Sequence, residues 1–382
     1  MAKKDYELGG ELIRTWSTYV PEEAITEVSK TLRSGWLNTG KKEKELRATA
    51  CKKWGFPYCV AVNNGTAALR ASLATLGVGP GDEVISTPFT FIATNTAILE
   101  QGAKPVFADI KYDDLNIDPK SIEKKITSKT KAIIVVHYGG NPCDMAEIWK
   151  IGRKHRIPII EDAAHAFGSM YKGNYIGAKG DLACFSFQVV KIINSGDGGL
   201  ISTSKKRYYK KLKKIIWYGI DKEEKTTNLL NPFPKNFRGE VLGFKYNMND
   251  IVATLALAGV NHFDEAEDKR KFIGERYRNE LGDLKGLKLM KYYSDRKPNY
   301  QIFPVHVENR LSFAKSLHQK GIMLNINNRR NDIYPMFGGI RRDLVNTAKA
   351  DKDVILLPMH SDLTESQVSY IIENVAKFDR LH

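Results

Sequence analysis

Residues 157–200 read IPIIEDAAHAFGSMYKGNYIGAKGDLACFSFQVVKIINSGDGGL. A short apolar run, residues 157–160, ends in two carboxylates, Glu161 and Asp162. A second run, residues 182–187, carries Ser186 and is soon followed by Lys191 and the glycine pair Gly198 and Gly199. Parallel strands buried on both faces read as short apolar runs, and ligands of α/β sheets bind beyond their carboxyl ends. The pattern therefore puts Asp162, Ser186 and Lys191 at neighbouring strand ends around one site.

An acid, a hydroxyl and a lysine together suit pyridoxal phosphate (PLP). The lysine would hold the aldehyde as a Schiff base, the acid would pair with the pyridine nitrogen, and the hydroxyl would bond the phosphate. Each residue alone also has a plain structural reading. Lys191 is one of 59 lysines and arginines and can be a solvated surface charge. Asp162 can be an N-cap, and Ser186 a core hydroxyl bonded to backbone.

The chain has 382 residues, long for one domain and suited to a large α/β domain plus a smaller one. Hydrophobic residues make up 42% and charged residues 27%, so a packed core is feasible and disorder is not expected. The net charge of +15 suits an anionic small substrate such as a nucleotide diphosphate. The basic residues are scattered, so no nucleic-acid partner is expected. The four cysteines form no CxxC pair and no histidine cluster has metal-ligand spacing, so no metal is expected. They read as reduced thiols of a cytoplasmic protein. The first residues lack an apolar signal core, and no run approaches the length of a membrane span.

Upstream, residues 1–20 read as an irregular arm. Ile25, Val28 and Leu32 recur at helical spacing after Pro21. Trp36 sits in a turn-rich loop and reads as a packed indole. A β-prone run at 58–62 leads into Asn63-Asn64-Gly65-Thr66-Ala67, a strand passing through glycine into a helix start, which is an anion-binding arrangement. Strands and helices then alternate as far as residue 160, which argues for a mostly parallel sheet covered on both faces. Phe91 falls at the carboxyl end of one of these strands. Downstream, residues 219–242 are polar and proline-containing and read as a long surface loop. A helix to Val260 and a charged helix over 265–281 lead to strands at 300–306 and 354–358 and helices at 312–320 and 365–378. The expected organisation is a large α/β domain over 1–250, and a linking helix with a small α+β domain over 251–382.

Seven motifs in fixed order carry a resemblance: SGWLNTG at 34–40, NGTAAL at 64–69, PFTFIAT at 88–94, VHYG at 136–139, EDAAHA at 161–166, FSF at 185–187 followed by Lys191, and GDGG at 196–199. Over about residues 31–377 the chain resembles the DegT/DnrJ/EryC1/StrS family of PLP-dependent nucleotide-sugar aminotransferases. The resemblance implies an α/β chain with the type I PLP-dependent aminotransferase fold, a mostly parallel seven-stranded-type sheet between helices. It implies that Lys191 is the Schiff-base lysine, Asp162 the pyridinium partner and His165 a neighbour of the ring hydroxyl. Phe91 and Ala164 would cover the two ring faces, and Gly65, Thr66 and Ser186 would cradle the phosphate. Family members are homodimers that share active-site residues, so Asn38, Thr39, Lys245 and Asn247 would serve the neighbouring protomer.

The sequence departs from the family pattern in three places. Gln188 stands where histidine is usual and is expected to contact the cofactor, and Lys245-Tyr246-Asn247 replaces Asn-Tyr-Arg, so that Lys245 or Asn247 would reach the cofactor phosphate. Near the sugar-nucleotide region the chain has Asn327-Asn328-Arg329-Arg330-Asn331-Asp332, whose Arg329 and Arg330 suit a diphosphate. The implied reaction takes an amino group from glutamate, releasing 2-oxoglutarate, to a keto carbon, C4, of a nucleotide-linked keto-deoxy sugar. The alternatives are C3 amination, C3 dehydration (which some members with histidine in place of the lysine perform), and a PLP-binding sensor that makes no product.

Overall fold

The structure, a computed structural model, describes residues 12–221, 239–326 and 328–381. Helices α1 (Glu22–Arg33) and α2 (Lys41–Trp54) precede β1 (Tyr58–Val62) and α3 (Gly65–Leu76). The chain then alternates through β2 (Glu83–Ser86), α4 (Ile92–Glu100), β3 (Lys104–Phe107), α5 (Pro119–Lys125), β4 (Thr130–Val136), α6 (Met145–His155) and β5 (Ile159–Asp162). Two short strands, β6 (Met170–Tyr171) and β7 (Asn174–Tyr175), lead to β8 (Leu182–Ser186), β9 (Gly199–Thr203) and α7 (Lys206–Ile215). Helices α8 (Asp250–Asn261) and α9 (Phe263–Leu281) come next. The remainder holds β10 (Leu287–Leu289), β11 (Arg296–Lys297), β12 (Phe303–Val307), α10 (Arg310–His318), α11 (Val345–Asp353), β13 (Val354–Leu357) and α12 (Glu365–Leu381).

The central sheet has seven strands in the order β1-β9-β8-β5-β4-β2-β3. All pairs are parallel except the two that β9 makes, with β1 and with β8. Alternate residues of each strand enter different cores, as period-two side chains must. Cys59, Ala61, Ile133, Val135, Ala183 and Phe185 pack with residues of α2, α6 and α8. Val60, Val62, Ala132, Ile134, Leu182 and Cys184 pack with α3, α4 and α7. Burial on both faces explains why these strands read as continuous apolar runs.

A third core gathers β10, β12 and β13, which form an antiparallel sheet, with α10 and α12. Helix α9 joins the cores: Phe263 and Ala266 belong to the first, Ile273, Tyr277 and Leu281 to the third. Ile13 also packs in the third core, held by Ile13 N to Gly321 O at 2.9 Å and Met323 N to Ile13 O at 2.9 Å. The N-terminal segment thus lies against the C-terminal unit.

Two sequence expectations change, at Trp36 and at 300–306, and the α1 helix expected after Pro21 is present with its apolar face outward. In α1 the face carrying Ile25 and Leu32 points outward, 57% and 51% exposed, while Ala24 and Thr31 face inward. Thr31 shares a 2.9 Å hydrogen bond with Thr254 of α8, so the polar Thr31 lies on the packed side. Trp36 is 61% exposed rather than packed. The strand expected over 300–306 starts only at Phe303, because Tyr300 has φ +52° and lies outside the β region. The loop expected over 219–242 falls mostly outside the described residues, as does Asn327.

Trp54 is fully buried, with the rings of Phe167 and Phe263 edge-on to it at 4.5 and 5.1 Å. Trp54→Ala is expected to cost about 3–5 kcal/mol, read as a lower urea midpoint. A shift worth under about 1 kcal/mol would show that this aromatic cluster does not hold α2 and α9 to the sheet.

Candidate active site

β5 and β8 run parallel as neighbours, so their carboxyl ends open on the same edge of the sheet. Beyond them lies a cavity of about 670 Å³. Gly65, Thr66, Phe91, Asp162, Ala164, His165, Ser186, Gln188 and Lys191 all line it. Residues far apart in the sequence, from the start of α3 to the segment after β8, are thus brought to one place.

Asp162 ends β5 with its carboxylate buried. Thr94 Oγ1 donates to its Oδ2 at 2.7 Å, and the Ala164 N–H donates to its Oδ1 at 3.2 Å. Thr90 and Thr94 share a further hydroxyl contact at 2.8 Å. Burial pushes the Asp162 carboxyl above its usual range, and Thr94, Ala164 and the Lys191 charge pull it back. Burial draws the Lys191 amine down to about 8, opposed by Asp162 and reinforced by the Arg270 charge. His165 is pushed down by burial and by Lys191, and its Nδ1 is buried with no hydrogen-bond partner among the described residues.

At the start of α3 the Asn64 side chain accepts from Ala67 N at 2.7 Å. The N–H groups of Gly65 and Thr66, in the first turn, have no intrahelical acceptor and are left for a ligand. Position 65 must be glycine, since a Cβ there would stand 2.8 Å from Ser186 Cβ. The helix start can therefore close on the Ser186 hydroxyl. An anion cradle, a buried carboxylate, an unpartnered imidazole nitrogen and an amine fit the phosphate, ring nitrogen, ring hydroxyl and aldehyde of PLP respectively.

Behind Asp162, His137 Nε2 meets Glu161 Oε2 at 3.0 Å and the His137 N–H donates to Asp162 O at 3.2 Å. The two adjacent carboxylates thus have separate tasks. Glu161 is buried beneath the sheet end and only Asp162 lines the cavity.

Other expected site residues lie elsewhere. Thr39 and Asn247 line a second cavity, of about 950 Å³. Asn247 Nδ2 donates to Thr39 Oγ1, and Thr39 Oγ1 donates to Met248 O at 2.7 Å. Asn38 O accepts from Asp250 N, whose carboxylate caps α2 through the N–H groups of Gly40 and Glu43 at 2.8 and 3.1 Å. Lys245 Nζ lies 3.8 Å from the Trp217 ring centroid, and Trp217 lines the same second cavity.

Neither Arg329 nor Arg330 lines the first cavity, although Asn328 does. Arg329 is paired with Asp351 at 2.9 and 3.1 Å. Arg330 is buried and forked onto Asp332 by two 2.6 Å bonds. Their guanidinium groups are engaged by these carboxylates and do not face the first cavity.

The sequence pattern assigns no role to Thr94 or Gln301, both on the cavity wall. Thr94 closes the PFTFIAT motif and lies one helical turn after Thr90, a spacing that shows a shared face. No local signal marks Gln301.

Residues 19–376 match the sequence profile of the DegT/DnrJ/EryC1/StrS aminotransferase family. An uncharacterised protein of Methanocaldococcus jannaschii is 34% identical over 370 residues, covering 94% of this chain and 95% of that protein. Among solved structures, the sugar aminotransferase CalS13 from Micromonospora echinospora superposes with a TM-score of 0.90 at 28% identity, covering 96% of this chain and 100% of that one. The Streptococcus pneumoniae protein Spr1654, a putative sugar aminotransferase in its PLP form, does so with a TM-score of 0.88 at 29% identity, covering 96% and 98%. With the profile spanning nearly its whole length, the chain belongs to the DegT/DnrJ/EryC1/StrS aminotransferase family.

Proposed function

We propose that this enzyme is a PLP-dependent sugar aminotransferase that moves the amino group of glutamate to the C4 keto carbon of a nucleotide-linked keto-deoxy sugar. The observation that carries the PLP chemistry is the Asp162–Lys191 pair facing one cavity with the α3 N-terminus and Ser186. The sugar rests on the family and on the likeness to the sugar aminotransferase CalS13. The net charge of +15 favours a diphosphate-bearing substrate.

PLP, bound at Lys191, supplies an electron sink for the bonds at the amino-bearing carbon. The protein does the rest. Asp162 would pair with the pyridine nitrogen and keep a proton on it, its carboxylate held by Thr94 and the Ala164 N–H. Gly65, Thr66 and Ser186 would hold the phosphate. Phe91 and Ala164, both on the cavity wall, would cover the two faces of the ring. Gln188 sits on the cavity wall beside Ser186, whose Oγ accepts its backbone N–H at 3.3 Å. The Nζ of Lys191 would take the proton from the donor α-carbon and, as the ammonium, return it to C4′ of the cofactor, the former aldehyde carbon across the shared nitrogen. An amine drawn down to about 8 can do both near neutral pH.

The functional unit in this reading is a homodimer in the cytoplasm. The outward Ile25 and Leu32 of α1 give a second copy an apolar face to cover. Asn38, Thr39, Lys245 and Asn247 do not line their own first cavity and are assigned to the neighbouring protomer's site. Asn247 Oδ1, buried without a partner among the described residues, is free to accept a bond there. Arg329, half exposed, is assigned to the sugar-nucleotide diphosphate, together with Arg330 if Asp332 yields it. The domain division at about residue 250 belongs to the same reading.

Adding glutamate to the PLP-loaded enzyme should remove the absorbance of the lysine-bound cofactor, and a nucleotide-linked keto sugar should restore it. Lys191→Ala should not turn over; retained turnover sinks the lysine assignment. A loaded enzyme unmoved by glutamate points to another donor, a dehydratase or a sensor. Product mass separates amination from dehydration, and NMR separates C4 from C3.

Because only the free amine attacks an aldehyde, the rate at which apo-protein captures PLP should climb between about pH 7 and 9 and then level off. A rate still rising at about pH 10 would contradict a lowered Lys191. Light scattering should give twice the chain mass. A pure monomer with full turnover would rule out shared sites.

A further inference from the structure

Lys191 lies on no helix or strand. It sits in the segment between β8 and β9, whose own backbone bonds include Lys191 N to Gln188 O at 2.8 Å and Ser195 N to Phe187 O at 2.8 Å. A side chain that must alternate between cofactor and proton transfer needs a fixed backbone beneath it. Gln301 supplies contacts on both sides. Its Nε2 donates to Val190 O at 2.8 Å, and its Oε1 accepts from Ile192 N at 3.1 Å. One amide thus bridges the residues immediately before and after the lysine, and only one orientation of its oxygen and nitrogen satisfies both bonds.

Gln301 is itself held from several sides. Its N–H donates to Asn299 Oδ1 at 3.0 Å, and Asn299 Nδ2 donates to Phe167 O at 2.8 Å. The preceding residue, Tyr300, adopts φ +52°, a conformation a bulky side chain enters only when its surroundings impose it. The Tyr300 ring packs over Gly274 of α9, where a Cβ would stand 2.4 Å from the ring. A glycine inside a helix is destabilising relative to alanine, and here it admits that ring. Arg270, one turn earlier on α9, donates from Nη1 to Tyr300 O at 3.3 Å and Gln301 O at 3.1 Å. Strain, a helix glycine and a buried cation converge on the residue that brackets Lys191.

We propose that Gln301 is a positioning residue for the amino-transfer reaction, a clamp from the C-terminal part of the chain that fixes the backbone of Lys191. It acts through Val190 and Ile192 rather than on substrate. The proposal rests on the assignment of Lys191 as the cofactor-binding lysine.

The test compares wild type, Gln301→Met, Gln301→Glu and Lys191→Ala. Methionine keeps the length and volume but makes neither bond. Glutamate keeps the acceptor for Ile192 N and loses the donor to Val190 O. In Gln301→Met, kcat is expected to fall about 10–100-fold, with KM for the amino donor unchanged. The rate at which the apo-protein captures PLP should fall in parallel, a readout independent of turnover. Gln301→Glu should fall between Gln301→Met and wild type. Wild-type kcat and capture rate in a folded Gln301→Met overturn the clamp. If Gln301→Met does not fold, wild-type rates in Gln301→Glu overturn it instead. Lys191→Ala separates the two ideas. If that variant still turns over, the underlying lysine assignment fails. If it is inert while Gln301→Met matches wild type, the clamp alone fails.

Discussion

Arg270 carries its charge into the seam where α9 passes from one core to another. Among the described residues no carboxylate lies within ion-pair distance of it, and Asp362 acts only from further away. Its Nη1 instead gathers three carbonyls, of Tyr300, Gln301 and Met359, at 3.1–3.3 Å. Its Nε is buried without a partner among the described residues. Burial of this kind draws the guanidinium down to about 10. Burying a charge so sparsely compensated is unfavourable, and the return is geometric. Three carbonyls of the C-terminal unit are referred to one point on a rigid helix. The same positive charge adds to burial, the main cause, in lowering Lys191, so the seam touches the cavity electrostatically as well as geometrically.

The cavity itself is a consequence of strand direction. Parallel strands β4, β5 and β8 end together, and each brings a polar residue to the same edge: His137 just after β4, Asp162 at the end of β5, Ser186 at the end of β8. Alternation of side chains decides which of two adjacent carboxylates is presented. Glu161 goes below, where His137 meets it, and Asp162 goes to the cavity. A one-residue slip of β5 would exchange them.

Much of this was legible in the sequence because it is local. The apolar runs, the Asn64-Gly65 helix start and the order Asp162, Ser186, Lys191 come from period and turn chemistry, and they led to the parallel sheet and to the residues that line one cavity. The features that depend on a distant partner were not legible. Thr94 reaches Asp162 across 68 positions and Gln301 reaches Val190 across 111. Arg329 and Arg330 read as free cations because Asp351 and Asp332 could not be matched to them by spacing alone. The outward turn of the α1 face was not legible for a related reason: periodicity reports that a face is apolar but not what covers it. The 300–306 run failed as a strand at Tyr300, where tertiary packing overrides β-propensity.

The place of β1 has a consequence for how the chain is made. β1 is the outermost strand of its sheet and pairs along its length with β9, residues 58–62 against 199–203, while its other edge meets residue 247 through a bridge at Val62. Its partner leaves the ribosome roughly 140 residues later, a delay on the order of ten seconds at ordinary rates of synthesis. Through that interval an apolar strand with unpaired backbone groups must be sheltered by nearby segments already made, which are α2 and α3. The start of α3 is also the anion cradle. Within the central sheet, the strand that waits longest for its partner is therefore the one that leads directly into Gly65 and Thr66, so completion of the sheet comes late beside the candidate cradle.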